Sequence, residues 1–277
     1  MEYLLVLQNI RQLFGNLGET VVIWITSLGT PAITFLFFSA IYWCVNKRAG
    51  QFMGFNIAIG CATGQCLKEI YKIKRPWEID TRIKPSDKAI STATGYSFPS
   101  GHTLRAMSCY GAFSFWFKKR KSQLWYVGYV IVLLVAFSRN YLGVHTLIDV
   151  VASIVLSSIF YIILFDLMEW SRKYLGRKLL LALLLIVILG ILVGVFGPLS
   201  NIGTGFGIVS GYIMEVLFVK FKPKGSIGIR IIRFFIGACG LLFIMNCLGG
   251  FGAFVNNFIV GFYIIYLYPA IFSKLNL

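Results

Sequence analysis

The sequence is poor in charged residues, and acidic ones are especially few. Charged side chains make up 13% of the 277 residues, and only 10 are Asp or Glu. A soluble domain carries roughly 25% charged residues. Together with 58% hydrophobic residues and a mean hydropathy of +0.79, this shortage excludes an ordinary soluble protein. It predicts an all-α, polytopic membrane helix bundle.

Cysteine is infrequent, and none of the six cysteines has metal-ligand spacing to a histidine. All six fall within apolar stretches, where a free cysteine acts as a small buried apolar side chain. We therefore expect neither a disulfide nor a zinc site from Cys44, Cys61, Cys66, Cys109, Cys239 and Cys247. No cleavable signal peptide is expected either, because Glu2 stands where a signal peptide has basic residues.

The basic residues form short clusters between apolar runs. This distribution argues against a nucleic-acid surface, despite the net charge of +16. Sixteen of the 26 Lys and Arg residues fall in loops on one side of the predicted membrane, which the positive-inside rule makes cytoplasmic. We expect an integral protein of a cytoplasmic membrane, with short loops that fit a bacterial one. The opposite, motif-bearing side then faces outward.

Hydrophobic runs long enough to cross a bilayer recur along the chain. A helix needs about 20 apolar residues to cross the hydrocarbon core. By that rule we predict about nine spans, at residues 20–45, 50–70, 101–117, 124–140, 146–168, 178–197, 201–219, 229–248 and 252–273. Residues 2–14 are too short to cross and predict an interfacial helix. The longest polar stretch, residues 72–99, is typical of a functional loop.

The last third of the sequence is rich in glycine and contains one isolated acid. Glycines in membrane helices permit close helix packing, which is the interpretation we favour for residues 203–211. Alternatively, Glu215 and nearby asparagines line a lipid-binding or transport cavity. A third interpretation pairs Glu215 with Arg230 or Arg233 near the cytoplasmic edge.

The chain has two histidines, and both lie beside residues suited to binding phosphate. His145 precedes Asp149 by four residues, so on a helix the two side chains would share a face. A carboxylate that holds one ring nitrogen leaves the other lone pair free, as a nucleophilic imidazole requires. The alternative is an incidental pair at a helix start.

The segment Pro99-Ser100-Gly101-His102 has the composition of a helix start that binds an anion. His102 could serve there as a general acid, although this tetrapeptide also suits an ordinary capped helix. Lys68, Arg75 and Arg139 supply positive charge that stabilises a phosphoryl group. Snorkelling to the membrane interface is the alternative for Lys68 and Arg75.

Taken together, these residues resemble the three-part signature of the type 2 phosphatidic acid phosphatase superfamily. The signature reads K-x6-R-P, P-S-G-H and S-R-x5-H-x3-D, and it is matched in order between Lys68 and Asp149. The resemblance implies a phosphatase that works through a phosphohistidine without a metal or cofactor. The superfamily also includes soluble vanadate-dependent haloperoxidases and glucose-6-phosphatase-like members. The membrane character of this sequence argues against the haloperoxidases.

The resemblance implies a role for each signature position. His145 is the nucleophile, Asp149 orients it, and His102 is the general acid. The implied phosphate-binding residues are Lys68, Arg75, Ser100, Gly101 and Arg139. The predicted division of the chain is an interfacial helix at 1–19, a membrane phosphatase core at 20–175 and an additional transmembrane bundle at 176–277.

The expected function is hydrolysis of a terminal phosphate from a lipid phosphate or diphosphate. Candidate substrates are undecaprenyl diphosphate, phosphatidic acid, phosphatidylglycerol phosphate and sphingoid-base phosphates. The alternatives are a lipid phosphotransferase and a lipid flippase or transporter on the same scaffold. The expected partners are the lipid substrate and membrane lipids, with no nucleic acid, and the sequence leaves a homo-oligomer open.

A metal-free phosphohistidine mechanism predicts a specific inhibition pattern. Orthovanadate mimics the phosphoryl transition state and should inhibit phosphate release, whereas EDTA should leave the rate unchanged. The measurement is phosphate release by purified protein in detergent, with a magnesium-dependent phosphatase as the EDTA control. Strong sensitivity to EDTA would contradict the metal-free mechanism.

Overall fold

The computed structural model describes residues 1–196, 200–247 and 252–275, and regular structure within them is helical. The all-helical prediction is confirmed for these residues. The predicted span ends at 197 and 248, and the last two residues of the predicted C-terminal bundle, lie outside the described residues.

Helices account for most of the described chain. In order they are α1 (Glu2–Ser27), α2 (Pro31–Ala40), α3 (Lys47–Tyr71), α4 (Pro76–Ile79), α5 (Asp87–Ile90), α6 (Gly101–Ala106), α7 (Ala112–Lys119), α8 (Trp125–Tyr141), α9 (Leu147–Ser171), α10 (Leu175–Phe196), α11 (Ser200–Met214), α12 (Ile227–Cys247), α13 (Ala253–Phe262) and α14 (Tyr268–Lys274). Short π-helical segments extend α2 and α11, join α6 to α7, and join α13 to α14. Helix α1 is kinked at Gly15, whose φ of 56° is non-helical.

Five described helical segments are long and apolar enough to cross a membrane. They are Leu147–Ser171, Leu175–Phe196, Ser200–Val219, Ile227–Cys247 and Ala253–Lys274. A bent pair, Glu2–Ser27 with Pro31–Val45, meets at 50° and makes six if it counts as one span. The protein is therefore an integral membrane protein with five or six candidate spans.

When the bent pair is counted as one span, three of the nine predicted spans have no counterpart among the candidate spans of the described residues: those at 50–70, 101–117 and 124–140. Helix α8 has 17 residues, so at 1.5 Å per residue it reaches about 25 Å of the roughly 30 Å hydrocarbon core. A π-helical segment separates α6 from α7. Helix α3 contains polar residues along its length, Lys68 among them. All three predicted spans carry motif residues, whose polar side chains lower the mean hydropathy of these helices.

The chain divides into two compact units. The first comprises Met1–Thr34 and Thr63–Ile159, and the second comprises Phe35–Ala62 and Phe160–Leu277. In the first unit, Tyr141, Leu142 and Val144 form a small buried cluster with Ala89. Because three of its four members lie between Arg139 and His145 in sequence, the cluster fixes the segment that carries the third motif.

Helices α11 and α13 pack closely in the second unit. A Cβ added at Gly203 would lie 2.2 Å from the carbonyl oxygen of Phe254, and one at Gly207 would lie 2.1 Å from that of Phe258. Any larger residue would force the two backbones apart. The packing interpretation of this glycine-rich segment is confirmed.

Glu215 is buried in the second unit and bonds to Lys47. Its Oε1 accepts hydrogen bonds from Lys47 Nζ and from the Phe221 backbone N–H. The interpretation that pairs Glu215 with Arg230 or Arg233 is wrong. Arg233 instead donates to the carbonyl oxygens of Trp43 and Lys224. The ion pair ties the start of α3 to the end of α11 and to the loop that follows.

The six cysteines are free thiols. Four of them, Cys44, Cys61, Cys66 and Cys109, are buried as expected. Cys239 and Cys247 are exposed, so the expectation of burial is wrong for these two. Both lie on α12, a candidate membrane span, where an apolar side chain exposed on the surface can contact lipid.

Lys47→Ala should destabilise the protein more than Glu215→Gln does. Removing the lysine leaves a fully buried carboxylate without its cation, which costs about 3 kcal/mol or more. Lys47 itself is 22% exposed, so removing the carboxylate leaves a cation that reaches solvent. The measurement is thermal unfolding in detergent. The control is Glu169→Ala, which breaks the exposed pair with Arg172 and should cost less than about 1 kcal/mol. Equal losses from all three variants would contradict the structural role of the pair.

Candidate active site

The eight predicted site residues all lie in the first compact unit. They come from four regions of the chain: the end of α3, the start of α4, the start of α6, and the segment from α8 to α9. Lys68 and Asp149, the first and last of these residues in the sequence, thus lie in the same compact unit. The polar connection between α3 and α6 folds back to make this possible, as Ser97 N–H donates to the carbonyl oxygen of Ile73 over 2.8 Å.

His145 is held between a carboxylate and a guanidinium. Its Nδ1 lies 3.4 Å from Oδ2 of Asp149, and its Nε2 lies 2.9 Å from Nη1 of Arg75. Because the carboxylate accepts and the guanidinium donates, these partners assign the proton to Nδ1 and the lone pair to Nε2. Helix α9 begins two residues after His145, so the pair forms at the helix start rather than on one helix face.

Burial keeps His145 in its neutral form. Desolvation is the largest cause that lowers the pKa of this imidazole, and the charges of Arg75 and Arg139 act in the same direction. The hydrogen bond with Asp149 opposes them. A pKa below the ordinary value means that the ring is unprotonated at neutral pH. That is the form in which Nε2 can attack phosphorus.

Arg75 is buried and bonded to three backbone carbonyls. Its Nε donates to Gly95 O over 3.0 Å, its Nη2 to Thr94 O over 2.8 Å and its Nη1 to Val144 O over 3.0 Å. Burial lowers the pKa of Arg75 to about 10, against the opposing effect of Asp149. The guanidinium is therefore still charged at neutral pH. These bonds fix it against Nε2 of His145.

Lys68 reaches the same loop from the end of α3. Its Nζ donates to the carbonyl oxygen of Tyr96. Three successive carbonyls, those of Thr94, Gly95 and Tyr96, thus accept bonds from Arg75 and Lys68. The lysine is close enough to Arg75, Asp149 and Arg139 for their charges to act on it. Lys68 therefore has a place in the cluster.

Ser100 begins α6 and ties it to α9. Its N–H donates to the carbonyl oxygen of Asp149 over 3.2 Å, and its carbonyl accepts from Ser153 Oγ over 3.1 Å. The side-chain hydroxyl accepts from Thr103 Oγ1 over 3.1 Å. A Cβ added at the next residue, Gly101, would meet no atom within 4 Å. The start of the helix therefore faces open space at Gly101.

His102 and Arg139 are buried with polar atoms that have no partner in the described residues. These atoms are Nε2 of His102 and Nε and Nη2 of Arg139. Arg139 is fully buried on α8, and His102 is 7% exposed. Arg139, Arg105 and His145 all lie near enough to His102 for electrostatic interaction. Buried polar atoms are costly without partners, so these atoms are suited to an anionic ligand.

Several residues of the cluster carry no sequence signal. Ser97 Oγ donates to Asp149 Oδ2 over 2.6 Å and lies 3.4 Å from His145 Nδ1. Asn140 Nδ2 donates to the His145 carbonyl over 2.8 Å. Thr26 Oγ1 accepts from Arg139 Nη1 over 2.9 Å. All three contacts form because the fold brings these residues next to motif residues, so the spacing of the motifs alone could not reveal them.

The site combines a neutral imidazole, a carboxylate beside it, two buried guanidinium groups and the half-buried ammonium group of Lys68. In the described part of the chain, no group of three or more His, Cys, Asp or Glu side chains is placed to hold a metal ion. The donors present are guanidinium, ammonium, hydroxyl and backbone N–H groups, which bind phosphate oxygens. The class defined by the fold and the site is a helical membrane protein that brings two histidines, a carboxylate and several cationic side chains together in one unit.

Two family models match this chain. Residues 49–173 match the PAP2 superfamily, and residues 199–277 match the transmembrane extension of PAP2 superfamily phosphatases. The first match contains all eight site residues. The chain therefore belongs to the PAP2 superfamily and carries the transmembrane extension described for phosphatases of that superfamily, and the resemblance drawn from the motifs is confirmed.

Three curated relatives are similar over part of their length. Phosphatidylglycerophosphatase B of Bacillus subtilis is 28% identical over 37% of this chain and 53% of its own length. Undecaprenyl-diphosphatase of Sulfolobus acidocaldarius is 30% identical over 41% and 52%, respectively. Lipid phosphate phosphatase delta of Arabidopsis thaliana is 27% identical over 43% and 30%. The chain thus spans about half or less of each relative. No solved structure matches it.

Ser97→Ala should lower kcat/KM for phosphate release, while Ser97→Thr should keep most of it. The alanine variant removes a short hydrogen bond to the Asp149 carboxylate, and loss of a bond to a charged group costs roughly tenfold or more. The measurement is steady-state phosphate release from a lipid phosphate. Ser91→Ala, an exposed position on the same connection, is the matched control. An unchanged rate for Ser97→Ala would show that Asp149 is held well enough without it.

Proposed function

We propose that this protein is a lipid phosphate phosphatase that hydrolyses the terminal phosphate of a lipid phosphate or diphosphate through a phosphohistidine. The observation that carries the proposal is the placement of His145, with Nδ1 at 3.4 Å from Asp149 and Nε2 at 2.9 Å from Arg75. A neutral imidazole held in this way presents its nucleophilic lone pair toward a cation that binds phosphate oxygens. Family membership supports the same reaction class.

In the first step, Nε2 of His145 attacks phosphorus and the bond from phosphorus to the leaving oxygen breaks. His102 donates a proton to that oxygen, so a neutral alcohol leaves from a monophosphate ester. In the second step, water attacks the phosphohistidine and inorganic phosphate leaves. The water proton returns to His102, which now acts as a base. Asp149 stabilises the positive charge that develops on the ring of His145.

The cations act on the charge of the phosphoryl group. Arg75, Arg139 and Lys68 would contact its oxygens, together with the Ser100 hydroxyl and the N–H groups at the start of α6. Fixed cations in a buried site stabilise the charge that spreads over the equatorial oxygens. The open space beside Gly101 supports access of a phosphate to that helix start.

We further propose the membrane arrangement expected from the sequence. About nine spans would place the phosphatase core at 20–175, behind an interfacial helix at 1–19 and ahead of an additional bundle at 176–277. The distribution of basic residues supports an outward-facing site in a bacterial cytoplasmic membrane. A site at the membrane interface accepts the headgroup while the lipid tail stays in the bilayer.

The names of the relatives suggest which substrates to test. One is an undecaprenyl-diphosphatase, one a phosphatidylglycerophosphatase and one a lipid phosphate phosphatase. The panel is therefore undecaprenyl diphosphate, phosphatidylglycerol phosphate, phosphatidic acid and a sphingoid-base phosphate. Since the site residues would treat the terminal phosphate alike, the ranking of these lipids depends on contacts beyond the phosphate.

His145→Ala should abolish phosphate release, with a loss of about 10⁶ in kcat, because it removes the nucleophile. Arg139→Ala removes one charge-stabilising donor and should lose on the order of 10²–10³. The measurement is phosphate release in detergent with the lipid panel. Arg172→Ala, at an exposed arginine bonded to Glu169, is the control and should keep full activity.

Equal, modest losses in the two site variants would contradict the assigned roles. Release that depends on an added alcohol, with phosphate recovered on that alcohol, would favour the phosphotransferase. If no lipid releases phosphate and His145→Ala still supports lipid movement in vesicles, the flippase alternative replaces the proposal.

A further inference from the structure

Helix α1 lies outside the residues that match the superfamily model, which begin at residue 49. It nevertheless contacts the third motif at three places. Tyr3 Oη accepts from the Leu147 N–H over 2.6 Å. Arg11 Nη1 donates to the Tyr141 carbonyl over 3.2 Å. Thr26 Oγ1 accepts from Arg139 Nη1 over 2.9 Å. Together these contacts are distributed along the segment from Arg139 to Leu147, which also contains His145.

We propose that α1 is a component of the phosphate site and that Thr26 is a positioning residue, which orients the guanidinium of Arg139 toward the phosphate. The proposal rests on the proposed function in one respect, since it takes Arg139 as a phosphate-binding cation. It goes beyond that function by extending the site to a helix that the motifs do not include.

The surroundings of Arg139 single out Thr26. The arginine is fully buried, and its Nε and Nη2 atoms have no partner among the described residues. Nη1 is bonded to Thr26, which is itself buried, at 4% exposure. One hydroxyl thus fixes the edge of the guanidinium at Nη1 and leaves Nε and Nη2 for two phosphate oxygens. This is the two-pronged geometry in which arginine binds phosphate.

The chemistry of threonine fits this task better than that of an acid. A hydroxyl oxygen accepts the hydrogen bond without a negative charge, so it fixes the arginine and leaves its positive charge available. A carboxylate at the same place would neutralise that charge before phosphate arrived. The threonine side chain is also stiff at χ1 because it is branched at Cβ, which limits the directions in which the hydroxyl can point.

The register of α1 against the motif segment is fixed by buried and polar contacts. Arg11 is buried and donates both to the Tyr141 carbonyl and to that of Lys84. Glu19 accepts from the hydroxyl of Ser86. At Gly18 the helix comes close to the motif segment, since a Cβ there would lie 3.5 Å from Tyr141 Oη. Thr26 is therefore presented to Arg139 by a helix that cannot slide freely.

The test is the affinity for orthovanadate, measured by calorimetry on purified protein in detergent. Thr26→Val keeps the branched shape and removes the acceptor, so the dissociation constant should rise roughly tenfold. Thr26→Ser should restore most of the affinity. Thr34→Val is the matched control, because that threonine is also buried but its hydroxyl donates to backbone carbonyls of its own helix region.

A double-mutant cycle separates positioning from general structural damage. In an Arg139→Ala background, Thr26→Val should cause no further loss of vanadate affinity, because it acts through Arg139. Additive losses, or an unchanged affinity in Thr26→Val alone, would overturn the proposal. Since vanadate binding requires no turnover, a protein that fails to hydrolyse the lipid panel but shows this coupling would refute the proposed function and support the role of Thr26.

Discussion

The site depends on the carboxylate of Asp149, which lies in a unit that also buries the guanidinium groups of Arg75 and Arg139. Its Oδ2 accepts bonds from Ser97 Oγ and the Thr146 N–H, and it lies beside Nδ1 of His145. Burying cations costs several kcal/mol each by general estimates, and the carboxylates of Asp149 and Glu78 act on Arg75 rather than on Arg139. Carbonyl oxygens around Arg75 offset part of this cost. A phosphate with nearly two negative charges offsets more, so the positive excess itself favours such a ligand.

Much of the site follows from the sequence because its residues occur in short motifs. The His145 and Asp149 contact spans four residues, and the Ser100 helix start is a local feature, so both were predictable from spacing. The glycine interpretation of α11 succeeded for a similar reason, since small residues four apart share one helix face. In each case the physical cause acts within one or two turns of chain.

The sequence did not reveal contacts set by helix packing. Thr26 and Arg139 are 113 residues apart, and Lys47 and Glu215 are 168 apart. Neither pair has a spacing that predicts it, and the interpretation that gave Glu215 a cationic partner named Arg230 or Arg233 instead of Lys47. Hydropathy was also insufficient to count the membrane spans. Helices α3 and α8 both carry site residues. Helix α3 is more polar than a typical membrane span and α8 is shorter, so counting apolar runs could not settle whether they cross the membrane.

The link between Ser100 and Asp149 joins two motifs through main-chain atoms, N–H to carbonyl oxygen. No substitution at either residue, short of proline at Ser100, removes that donor or that acceptor. The relative placement of the start of α6 and the first turn of α9 is therefore largely insensitive to side-chain change. A lineage could exchange most of the surrounding residues and still inherit the same spacing between His102 and His145, which is compatible with relatives that share 27–30% identity.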